Sequence, residues 1–170
     1  MRLTSILLIA GLILTGLAAD AATGKVIKVL PHFVDQMGRH ALSPSLYERD
    51  AYQSELFKNP EKRLGIRFDI HWNVKEAEGA NLKLRVEMRG VATGNQPQEK
   101  TLEKTLRIKG KSDTQWTSIP LVGDDYKAFG EMTSWRVTLW DGDTKLGEEK
   151  SFLWDSSEAD KTGSRTNLAK

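Results

Sequence analysis

The chain has 170 residues, 39% of them hydrophobic, 28% charged and 8% aromatic, and it contains no cysteine. This balance suits one ordinary globular domain and excludes a disordered, collagenous or disulfide-stapled chain, along with thiolate nucleophiles and cysteine-based zinc sites. The formal net charge is only +2, and bases alternate with acids in stretches such as Glu61-Lys62-Arg63, whereas nucleic-acid binding needs a clustered basic face.

The chain opens with Met1-Arg2, continues through an apolar run from Ile6 to Ala19, and then reads Ala19-Asp20-Ala21, a small-residue cleavage pattern. These features predict a signal peptide over residues 1 to 21. At 1.5 Å per residue the apolar run reaches roughly 21 Å, short of the roughly 30 Å hydrocarbon layer. The mature protein is therefore expected to be periplasmic or secreted, without a membrane anchor.

A strand is predicted at Lys25 to Leu30. The next stretch, residues 31 to 63, is too long for an ordinary connection and must carry structure or function. Within it, Ser45 and Glu48 have capping-box spacing, Leu46 to Lys58 contains mostly good helix formers, and Asn59-Pro60 ends the run. One helix is expected, with Leu46, Tyr47, Leu56 and Phe57 docking it on the sheet as a cover or lid.

Period-two alternation is strongest next: Ile66, Phe68, Ile70, Trp72 and Val74 oppose Arg67, Asp69, His71 and Asn73. Leu82, Leu84, Val86 and Met88 repeat the pattern, so both segments predict half-buried strands. Weaker strands are read at Thr101 to Ile108, Thr114 to Val122 and Ser134 to Asp141, and a last one from Thr144 to Trp154, whose mixed parity calls for a bulge or for a strand only partly paired. The intervening segments Gly90 to Glu99 and Lys109 to Asp113 are read as loops, and Asp141-Gly142 as a tight hairpin. Seven short antiparallel strands must bury one face of each sheet, which predicts an all-β, two-sheet sandwich over residues 22 to 154. Residues 155 to 170 are rich in Ser, Thr, Asp and Lys and are expected to form a disordered tail.

By strand number and order, Val26 to Trp154 resembles an immunoglobulin-like or fibronectin type III-like sandwich with one helical insertion between its first two strands. The segments Leu42 to Gln53, Trp135 to Asp143 and Ser151 to Trp154 also resemble parts of uncharacterised exported proteins of Gram-negative bacteria. Neither resemblance implies an activity, a cofactor or a site residue.

Gly110-Lys111-Ser112 lacks the preceding glycine and following helix of a phosphate loop. Asp141-Gly142-Asp143 lacks the later glycine and acid of a calcium loop, and reads as a hairpin turn. His32, Asp35 and His40 form a local set of metal-ligand types within the insertion, although their spacing matches no zinc signature. His71 sits on the polar face of a strand, and no Gly-x-Ser-x-Gly elbow exists to support nucleophilic catalysis.

Of the five tryptophans, Trp72, Trp116 and Trp135 are expected in the core, while Trp140 has the opposite parity to Trp135, Val137 and Leu139. Trp140 is either covered by the insertion helix or exposed to stack on a sugar, with Tyr47 or Tyr52 assisting. The resulting expectation is a non-catalytic interaction or accessory module of the cell envelope, with no cofactor and a protein or polysaccharide partner. A carbohydrate-binding module is the alternative, followed by a metal-dependent hydrolase centred on the insertion.

Overall fold

The computed structural model describes residues 21–155, so the predicted signal peptide apart from Ala21 and the predicted tail apart from Asp155 lie outside the described residues. Seven strands form two antiparallel sheets. The first contains β1 (Thr23–Asp35), β2 (Arg63–Lys75) and β5 (Asp113–Val122) in the order β1-β2-β5. The second contains β3 (Leu82–Ala92), β4 (Gln96–Thr105), β6 (Glu131–Asp141) and β7 (Thr144–Lys150) in the order β4-β3-β6-β7. No helix among the described residues is long and apolar enough to cross a membrane.

The alternating segments build the core as expected. Phe68, Ile70 and Trp72 from β2 meet Leu84, Val86 and Met88 from β3, and Val137 and Leu139 from β6 complete the layer. Trp72 is wholly buried without an orphaned donor, because its Nε1 donates to Thr117 Oγ1 on β5 at 2.9 Å. β4 bonds to β3 and not to β5, so the fourth strand joins the sheet opposite the one it occupies in a constant-type immunoglobulin domain.

Several boundaries differ from the sequence reading. β1 continues through Pro31 to Asp35, leaving residues 36–62 as the true insertion. β4 begins at Gln96 and ends at Thr105, where a loop through Glu99 and a strand from Thr101 to Ile108 were expected. Pro97 suggested a loop, but it pairs with Val91 on an edge strand, whose open side makes no use of the missing N–H. β7 stops at Lys150, and the expected irregularity lies at Leu139/Trp140. Beyond it the chain turns so that Trp154 is buried under the guanidinium groups of Arg89 and Arg136.

A short helix, α2 (Asp124–Phe129), escaped the sequence reading and buries Tyr126 and Phe129. It ends at Gly130, whose φ of +80° and close approach to the Val91 carbonyl leave no room for a side chain.

The insertion helix, α1 (Leu46–Lys58), has the predicted limits, and Ser45 accepts the Glu48 backbone N–H as its cap. Its docking face is different. Only Leu56 is buried, whereas Leu46, Tyr47 and Phe57 are exposed. Polar anchors replace the expected apolar face: the Gln53 side-chain amide accepts from Phe33 N at 2.8 Å and donates to Phe33 O at 2.9 Å. These are outward-facing groups of β1, an edge strand that would otherwise offer an open template. The same amide also donates to His40 O at 2.7 Å, tying the preceding loop to the helix.

Candidate functional site

The outward residues of the three-stranded sheet form rows across the strands. Arg67 lies between His32 and Pro120, Asp69 between Leu30 and Ser118, and His71 between Lys28 and Trp116. The insertion loop brings His40 over the first of these rows, so all three histidines of the chain gather on this side.

Asp69 is the centre of the arrangement. Its Oδ2 accepts from Arg67 at 2.8 Å and lies 3.4 Å from His32 Nδ1, while Oδ1 accepts from the Ser118 hydroxyl. Burial pushes its carboxyl upward, but hydrogen bonds from His32, Arg67 and Ser118 outweigh that cost and hold it well below the usual carboxylate range. The Arg67 guanidinium also reaches His40 Nδ1 at 3.0 Å. Burial, followed by the positive charge of Arg67 and the nearby His32, lowers the His40 pKa. The His32 and His40 rings are 5.1 Å apart, and ligand atoms from His32, His40 and Asp69 all fall within 4.8 Å of one another.

Asp35 does not join the two histidines with which it was grouped by sequence. Its carboxylate accepts from the backbone N–H of Met37 and Arg39, from the Arg39 side chain, and from the Tyr52 hydroxyl at 2.7 Å. Burial favours its protonated form, but these donors prevail and hold it ionised well below its ordinary range. Burial and the bond to Asp35 raise the Tyr52 pKa in turn. Asp35 and Tyr52 therefore brace the insertion loop against α1.

The aromatic candidates separate. Tyr47 is 84% exposed and, with Leu42, Glu48, Ala51, Tyr52 and Glu55, lines an open groove of about 290 Å³ along α1. Trp140 lies on the outer face of the other sheet, away from α1, which packs along β1. Its Nε1 donates to Thr138 Oγ1 at 2.7 Å, and the Arg85 guanidinium stands 5.2 Å from its ring.

Trp116, expected in the core, is 53% exposed and stacks on His71 with a ring separation of 4.8 Å. Apolar residues occur at both parities of β5, and the structure turns Ile119 and Leu121 inward, leaving Trp116 and Pro120 outside. Trp116, Asp69, Arg67 and Ser118 belong to this face and were not among the candidates singled out from the sequence. The parity of Asp69 with His71 on the alternating segment Ile66 to Val74 was the available signal for Asp69.

No protein-family model and no curated protein matches the chain. Among solved structures it is similar to an immunoglobulin-like protein from Pseudomonas aeruginosa, with 13% identity over 78% of this chain and 96% of that one, at a TM-score of 0.36. The sandwich assignment rests on the strand pairing described above.

Chemically, the face is built to hold charge and hydrogen bonds. Ser118 donates its hydroxyl hydrogen to the Asp69 carboxylate, whereas the nucleophile of a serine hydrolase donates to an imidazole base. In the Asp141-Gly142-Asp143 turn, Asp141 serves the scaffold by accepting the Asn81 backbone N–H at 2.8 Å.

Proposed function

We propose that the protein is a non-catalytic interaction or accessory module of the cell envelope, periplasmic or secreted, whose contact surface is the insertion between β1 and β2. The observation that carries this reading is the concentration of exposed Met37, Leu42, Leu46, Tyr47 and Phe57 on an insertion held by Gln53, Asp35 and Arg63. Apolar side chains held in water on a braced insertion can be buried by a partner at a reduced ordering cost. The partner it fits is a protein segment with apolar side chains and a basic group to meet Glu48 and Glu55 at the groove.

A photoreactive phenylalanine in place of Tyr47 should yield one dominant adduct in the native envelope, and Leu46→Ser should suppress it while leaving the urea melt unchanged. An adduct indifferent to Leu46→Ser, or a melt lowered as by a core substitution, would overturn the contact assignment. Intact mass of the exported chain checks the compartment, the expected product beginning at Ala22.

The carbohydrate-binding alternative draws support from Trp116, because β5 is the last strand of its sheet and the indole stacks with only one face on His71 across β2. A sugar ring packed there should quench Trp fluorescence in the parent protein and not in Trp116→Ala.

A further inference from the structure

The geometry points to a divalent transition-metal site, of the zinc or copper class, formed by His32, His40 and Asp69. The three residues come from β1, the insertion loop and β2, and their ligand atoms lie within 4.8 Å of one another. Two imidazoles and a carboxylate suit a borderline ion such as Zn²⁺ or Cu²⁺ better than Mg²⁺ or Ca²⁺, which favour oxygen donors. Bonds of about 2.0–2.1 Å place tetrahedral ligands roughly 3.3 Å apart, so the set must contract by up to about 1.5 Å on binding. His32 and Asp69 are already near that spacing at 3.4 Å, and the residue that must approach is His40, which is carried by a loop.

Arg67 explains how the site is balanced without an ion. Its guanidinium satisfies both Asp69 Oδ2 and His40 Nδ1, the groups a metal would claim. The Arg67 side chain retains 24% exposure and can withdraw to solvent, so metal and guanidinium compete for the same acceptors. Ser118 supports the carboxylate from its other oxygen, in the manner of groups that orient a metal ligand. Binding would clasp the insertion loop to the sheet and leave a fourth position for water. This inference is independent of the contact surface around Tyr47.

The test is titration of the chelator-stripped full chain with Zn²⁺ and Cu²⁺ by calorimetry, with bound metal counted by atomic emission. Stoichiometric binding should be lost in His40→Ala and Asp69→Asn, retained in His71→Ala and Asp35→Asn, and tightened in Arg67→Gln through removal of the competitor. His40→Ala alters a loop residue outside the core, so loss of binding with an unchanged far-ultraviolet spectrum and melt separates a ligand from a folding requirement. Absence of binding to the parent chain, binding unaffected by His40→Ala, or loss in His71→Ala would each overturn the site. Weaker binding in Arg67→Gln would overturn the competition.

Discussion

The guanidinium carbon of Arg63 stands 4.2 Å from the centre of the Phe33 ring, at the point where the insertion returns to the sandwich. The same group donates to the Leu56 and Phe57 carbonyls, capping the end of α1, and to Tyr126 and Glu131. One buried cation therefore joins the insertion helix, β1, α2 and β6. Arg63→Ala leaves several of these acceptors unsatisfied and should lower stability by about 3 kcal/mol in urea melts. Arg63→Lys should recover only part of the loss, because an ammonium cannot reproduce the planar stack and fork of hydrogen bonds.

Phe68 is wholly buried between the sheets, and its ring and that of Trp135 form an edge-to-face pair at a centroid distance of 6.1 Å. Phe68→Ala should cost about 3–5 kcal/mol through lost burial and the cavity left behind. Arg67→Ala, one residue away on the outer face, should cost less, about 1–2 kcal/mol, because Asp69 keeps His32 and Ser118 as partners. Equal shifts in paired denaturation curves would contradict the inward assignment of β2.

Asp35 gives the insertion a distinct acid response. Its folded-state pKa is depressed below the unfolded value of about 3.9. Its contribution is complete above that unfolded value and is lost as pH falls toward the folded one, since the unfolded state then takes up the proton first. Stability should decline below about pH 4, and Asp35→Asn should be less stable at neutral pH with a shallower decline on acidification. Chemical melts from pH 7 downward measure both effects.

Trp140 and α1 belong to opposite sheets, so their stability contributions should be separable. The sum of the losses in Trp140→Ala and Leu56→Ala should match the double variant within about 0.5 kcal/mol, as expected of sites without shared partners. A larger coupling in the double-mutant cycle would return the helix to Trp140 as a cover.

Local physics made much of this protein legible in its sequence. Alternation at Ile66–Val74 and Leu82–Met88 defines strands because one face of each must be dry, and Ser45 with Asn59-Pro60 defines α1 because unpaired helix ends need caps and a stop. The edge position of β4, which admits Pro97, was decided by strand order. The same holds for the exchange of Asp35 for Asp69 beside His32 and His40. Asp35 is near them along the chain but is captured by Tyr52 and Arg39, while Asp69 reaches them across the β1–β2 pairing. Proximity across a sheet is set by register and by the path of the insertion. Neither leaves a local periodic signal, so the chemistry of this face emerged only from the tertiary structure.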